Sequence, residues 1–153
     1  MAKEATVFLL VEDDKNDVFL VQREFKSAPG NLRLEAVRDG VEAIRYLEGQ
    51  GDYANRSNFP LPQVILLDLK MPRIDGFQFL EWVRRRAPNP LRTIPVVVMS
   101  SSSESIDVTR AYVLGVNSYM VKPIDWESFQ KRIRVLGIYW ADHVEKPQIC
   151  AAC

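Results

Sequence analysis

The sequence predicts an α/β protein, a doubly wound parallel sheet of five strands with helices on both faces. Apolar runs and amphipathic stretches alternate five times between Thr6 and Trp140, and right-handed crossovers turn such alternation into a parallel sheet. Three runs, TVFLLV (6–11), VILLD (64–68) and IPVVVM (94–99), are almost continuously apolar, the pattern of strands covered on both sides. With 153 residues the chain suits one domain around one core.

Each element has a local reason. After the first strand, Asp14 can cap a helix over 15–27, with Val18, Phe19, Val21, Gln22 and Phe25 around its inner side. Pro29-Gly30 stops it. LRLEAV (32–37) alternates apolar with polar, as a strand near a sheet edge does. Asp39-Gly40 turns into a short helix with Val41, Ala43, Ile44 and Leu47 inward, and EGQGDYANRSNFPLP (48–62) reads as a long polar loop. Past the third strand, Asp75 or Gly76 opens a helix carrying Phe77, Phe79, Leu80 and Val83, which Ala87-Pro88 closes. The fourth strand leads through Ser100–Ser103 into a helix over about 104–114, with a stripe through Ile106, Val113 and Leu114. Val108 and Tyr112 lie off that stripe, one turn apart, as surface residues or part of a partner or dimer face. Ser118–Val121 is a short fifth strand, and Asp125 caps a last helix to about Trp140. Its end, Ile138-Tyr139-Trp140, would cover the sheet's rim or extend a dimer interface.

Twenty basic residues balance twenty acidic ones, so no positive field favours nucleic acid. No apolar stretch reaches membrane-spanning length, and the N-terminal run is too short for a signal peptide, so a cytoplasmic protein is expected. The expected organisation is one domain over 1–145 and a flexible tail over 146–153, too short to form an output domain. Cys150 and Cys153 end the chain as Cys-Ala-Ala-Cys. This spacing matches a redox pair and a prenylation box, but its terminal position suits neither well, and a tail without chemistry is the expectation.

Sites in such sheets gather at the carboxyl ends of the strands. The first strand leaves Glu12-Asp13-Asp14 there, the third Asp68, the fourth Ser100-Ser101, the fifth Lys122-Pro123. A lone carboxylate ending a buried strand is costly without a partner. Carboxylates from two strands, with no His or Cys near, form a hard-oxygen set suited to Mg²⁺. Glu12 and Asp13 would hold the cation, and it and Lys122 would neutralise Asp68. Asp68 could then act as a nucleophile toward phosphorus, with the Ser100 hydroxyl bonding a transferred oxygen. Taken singly, each residue has a plainer role: Asp14 a cap, Glu12 a surface acid, the serines a turn, Lys122 a solvated cation. All of them meeting at one edge is poor coincidence.

LLVEDD, ILLDLKMPRIDG, IPVVVMSS and NSYMVKP, in this order and spacing, resemble the receiver domain of bacterial two-component response regulators, over about residues 5–138. The resemblance implies a flavodoxin-like sheet of strand order 2-1-3-4-5. It implies Asp68 as phosphoacceptor, Glu12 and Asp13 as the acidic pair, and the backbone carbonyl of Lys70 as a further Mg²⁺ ligand. Ser100 takes the place of the switch hydroxyl, Tyr119 of the switch aromatic and Lys122 of the phosphate-pairing lysine. The Lys122–Pro123 bond is often cis in that family. Glu12 stands for the commoner Asp and Ser100 for the commoner Thr. The 48–62 loop and GIYWADH resemble single-domain regulators partnered with phytochrome-type (bacteriophytochrome) histidine kinases.

A sensor histidine kinase is thus the expected partner. Phosphorylation would draw Ser100 over, let Tyr119 rotate inward, and change a surface read by another protein or by a second copy, with no DNA contact. Rival readings fare worse. A haloacid-dehalogenase-type phosphatase wants a second acid two residues beyond the nucleophile, where Lys70 stands. A flavodoxin-like electron carrier needs a hydroxyl-rich loop after the first strand, where Glu12-Asp13-Asp14 would repel the flavin phosphate. A receiver that acts as a binding module without phosphorylation is the main alternative.

Overall fold

The computed structural model describes residues 4–149. Strands β1 (Thr6–Val11), β2 (Leu32–Val37), β3 (Val64–Leu67), β4 (Val96–Ser100) and β5 (Ser118–Val121) form one sheet in the order β2-β1-β3-β4-β5. All four pairings are parallel, as in Leu10↔Leu66 and Val98↔Tyr119. Helices α1 (Lys15–Ser27), α2 (Gly40–Glu48), α3 (Gly76–Glu81), α4 (Ser105–Val113) and α5 (Trp126–Ile138) make the crossovers.

The pleat sends alternate side chains to two cores. Leu9, Val11, Ile65, Leu67, Val96 and Val98 pack with residues of α2 and α3. Phe8, Leu10, Val64, Leu66, Val97 and Met99 pack with α1 and α5. β1, β3 and β4 are buried throughout while the edge strands β2 and β5 are half-buried, the division the sequence pattern expects. Asp14, Asp39, Asp75 and Asp125 each cap the helix that follows them with a side-chain oxygen, satisfying N–H groups that the first turn leaves unpaired.

Several local expectations fail for tertiary reasons. On α1, Phe19 is 60% exposed and Gln22 faces solvent, whereas Glu24 is buried, bonded by Gln130 Nε2 at 3.0 Å and Arg134 Nη2 at 3.4 Å from α5. On α4 the stripe is displaced: Ile106 and Val113 are exposed and Ala111 is buried, with Val108 half-buried. α3 is shorter than expected and widens into a π-helical turn, Trp82–Arg86, closed by Ala87 N–H donating to the Trp82 carbonyl at 2.8 Å. α5 likewise passes into the π-helical turn Tyr139–His143, with Trp140 buried and Tyr139 exposed.

The 48–62 segment is not a slack loop. Tyr53 and Phe59 pack edge-on at 5.1 Å between centroids and both meet Tyr46, while Arg56 bonds the Tyr46 and Leu47 carbonyls at the end of α2. Among the described residues the one cis peptide is Asn89–Pro90, so Lys122–Pro123 is trans. Of the expected tail, Lys146 Nζ donates to the Trp140 carbonyl at 2.7 Å, and Ile149 packs against the core. Cys150 and Cys153 lie outside the described residues. No helix among those residues is long and apolar enough to cross a membrane.

Candidate metal centre

The sheet's own hydrogen bonds carry the chain past its strands and set the site. Glu12 N–H donates to Val37 O at 3.0 Å, Asp68 N–H to Val11 O at 3.0 Å, and Lys122 N–H to Ser100 O at 2.7 Å. Residues just beyond β1, β3 and β5 are therefore as fixed as the strands. Gly76 completes the frame: a Cβ there would sit 2.4 Å from the Asp68 carbonyl oxygen and 2.6 Å from Leu69 Cα. Only glycine lets α3 start so close behind the acid.

Glu12, Asp13 and Asp68 each offer a carboxylate oxygen within 4.8 Å of the others. Glu12 and Asp68 are buried and Asp13 is exposed, so the group is closed on the protein side and open to solvent at Asp13. Lys122 is 13% exposed and reaches in from β5, with Nζ 2.7 Å from Glu12 Oε2, 2.8 Å from Asp17 Oδ2 and 3.9 Å from Asp68 Oδ1. The sequence reading missed Asp17. Its signal was an acid in the first turn of α1, one turn beyond Asp13.

Three carboxylates, those of Glu12, Asp17 and Asp68, thus share one ammonium. Burial pushes the Glu12 carboxyl up to about 8; Lys122 pulls it back down and Asp68 adds repulsion. Burial also raises Asp68, against Lys122 and the Lys70 backbone N–H, which favour its charged form. Burial alone would lower the Lys122 ammonium, but Glu12, Asp17 and Asp68 outweigh it and move it up. Surplus buried negative charge of this kind suits a hard divalent cation with oxygen ligands.

Ser100 is fully buried, and its Oγ accepts from Ser102 N–H at 3.1 Å. Ser102 Oγ donates to Asp107 Oδ2 at 2.6 Å, and Tyr119 OH donates to the Ser102 carbonyl at 2.8 Å. The Tyr119 ring is half-buried and packs against the core beside β4. The structure brings Glu12, Asp13, Asp68 and Lys122 into one cluster and puts Ser100 and Tyr119 in a hydrogen-bonded network beside it. Lys70 is exposed on the loop after Asp68.

Comparison with known proteins points the same way. A profile described as "Response regulator receiver domain" matches residues 8–134. The response regulator Rcp1 of Synechocystis sp. is 38% identical over 142 residues, covering 92% of each chain. The probable methanogenesis regulatory protein FilR2 of Methanothrix harundinacea is also 38% identical over 142 residues, 91% of this chain and 86% of that one. The crystal structure of the Mn²⁺-bound form of Rcp1 superposes with a TM-score of 0.84 at 36% identity, covering 94% of this chain and 99% of that one. That of the phosphorylated cyanobacterial phytochrome response regulator RcpA gives 0.87 at 32% identity, covering 95% and 100%.

Proposed function

The chain belongs to the response regulator receiver domain family, and from that premise we propose that Asp68 accepts a phosphoryl group from the phosphohistidine of a sensor histidine kinase. The observation that carries this reading is the cluster itself, three carboxylates within 4.8 Å of one another with Lys122 reaching Asp68. An Asp68 oxygen attacks phosphorus, the P–N bond breaks, the imidazole keeps its electron pair, and an acyl phosphate remains on Asp68. Glu12, Asp13, Asp68 and the Lys70 carbonyl would hold Mg²⁺, which when bound supplies positive charge opposite the transferred oxygens. Lys122 offsets the same charge from the β5 side, and Ser100 gives up its contact with Ser102 to donate to a phosphoryl oxygen. Tyr119 and α4 then settle around the displaced loop, changing a surface that a protein partner or second copy reads.

The likeness to Rcp1 and to a phytochrome response regulator supports a phytochrome-type kinase as the donor. Incubation with Mg²⁺ and acetyl phosphate tests the acceptor reading. One phosphoryl mass should be gained, lost with chelator and absent in Asp68→Asn. Equal labelling of Asp68→Asn would overturn the assignment of the acceptor.

A further inference from the structure

Arg73 lies on the loop between Asp68 and α3 and has a φ of 65°, left-handed backbone that a residue with a Cβ rarely adopts. Its guanidinium crosses to Asp39, the cap of α2, with Nε 3.1 Å from Asp39 Oδ2 and Nη2 bonded to the same oxygen. Asp39 is 5% exposed and uses its other oxygen to accept from Glu42 N–H at 2.9 Å. Next to this pair, Gly40 abuts Ile74 so closely that a Cβ would lie 2.9 Å from Ile74 Cγ2 and 3.1 Å from the Ile74 carbonyl oxygen. Gly76 N–H donating to the Leu69 carbonyl at 2.9 Å closes the loop at its base. The turn Asp39-Gly40 is therefore a seat for Arg73-Ile74, and along the chain Lys70 lies between Asp68 and these seated residues.

We propose that Arg73 is a positioning residue for the metal centre: paired with Asp39, it holds the 69–75 loop so that the Lys70 backbone is already in place when a cation arrives. The inference rests on the reading of Glu12, Asp13, Asp68 and Lys70 as the cation's ligands. A flexible loop would have to be ordered at each binding event. Here a charge-assisted pair and a tight backbone contact order it beforehand. A left-handed arginine persists because the surrounding contacts over-determine it.

Mg²⁺ titrated calorimetrically into the full chain tests this. Arg73→Gly removes the guanidinium and keeps the backbone at ease, and Asp39→Asn removes the charge and keeps a helix cap. Each should weaken Mg²⁺ binding by about tenfold, and the double variant should be no worse than either. Arg73→Lys should recover part of the loss, since a single ammonium replaces the fork. In metal-free Asp39→Asn the amides of 69–75 should exchange faster while those of α3 do not. The labelling rate at saturating Mg²⁺ should stay within about twofold of wild type in both single variants, because the pair acts on the loop rather than on the reacting group. Arg73→Gly binding Mg²⁺ as wild type does, or losses that add in the double variant, would overturn the proposal. Wild-type protein that neither binds Mg²⁺ nor labels would instead overturn the acceptor reading itself.

Discussion

Helix α5 buries Phe129, Ile133, Leu136 and Gly137, whereas α4 buries Ala111 and leaves Ile106 and Val113 in solvent. Both helices start beside the acidic rim, α5 after Lys122 and α4 after Ser100. α5 is held by an apolar face and by Gln130 and Arg134 on the buried Glu24 of α1. α4 is held by polar and stacking contacts at its edges: Ser102 on Asp107, Tyr119 on Ser102, and the Arg110 guanidinium 4.1 Å from the Phe77 ring centroid. A buried apolar face resists displacement because every lost contact exposes area to water. Hydrogen bonds at a half-wet edge exchange for water at little net free energy. The helix suited to shift is therefore α4, and α5 supplies the fixed frame.

The largest expected effect lies in the core of that frame. Ile133→Ala should destabilise the protein by about 2–5 kcal/mol, read from urea denaturation. Val113→Ala on α4 should stay within about 0.5 kcal/mol of wild type. If Val113→Ala proved equally damaging, the exposed face of α4 would be covered in solution, and the contrast between the helices would fail.

A second test moves the charge at the rim and asks which helix responds. Burial pushes the Glu12 carboxyl up to about 8, so a proton competes with a cation for its oxygens as pH falls below that value. Mg²⁺ affinity should then rise by up to about tenfold per pH unit on approach to that value and level off above it. The sign for stability runs the other way in metal-free protein. Protonated Glu12 favours the fold at low pH, and that contribution is lost as pH rises through about 8. Hydrogen exchange with and without Mg²⁺ should change in 102–113 and leave 126–138 unmoved. Equal responses would place the bistable element elsewhere.

How much of this was legible beforehand follows the range of the interactions. TVFLLV and SYMV gave strand limits that match the structure, because residue type along the strand and flanking turns are local. The caps read at Asp14 and Asp125 were equally local, whereas Asp39 read only as a turn and Asp75 as one of two helix openings. Glu24 was not legible on α1, since its partners Gln130 and Arg134 stand 106 and 110 residues away in sequence. Nor was the inward turn of Tyr53 and Phe59, which depends on Tyr46 lying beneath a stretch that is polar by composition. At the site, residue types announced Glu12, Asp13, Asp68 and Lys122. The sharing of Lys122 with Asp17 needed the relative placement of α1 and β5.

The smallest effect concerns Ser102, through which the α4 side is tied to Ser100. Its N–H meets Ser100 Oγ, its hydroxyl meets Asp107, and its carbonyl holds Tyr119. Ser102→Ala removes the Asp107 contact and the weaker bond that Ser102 Oγ accepts from Glu104 N–H at 3.3 Å, and leaves the two backbone contacts intact. Asp107 is half-buried, and its carboxylate can turn to water, so the loss should be about 1 kcal/mol. That is too little to unfold the chain. It should appear as faster exchange of amides in the first turn of α4, with α5 unchanged and Asp68 labelled at the wild-type rate. Asp107→Asn should do less, since an amide oxygen still accepts from the hydroxyl. Should Ser102→Ala leave α4 exchange untouched, Arg110 on Phe77 and the buried Ala111 would have to carry the helix by themselves, and α4 would be a more rigid partner to α5 than its exposed face implies.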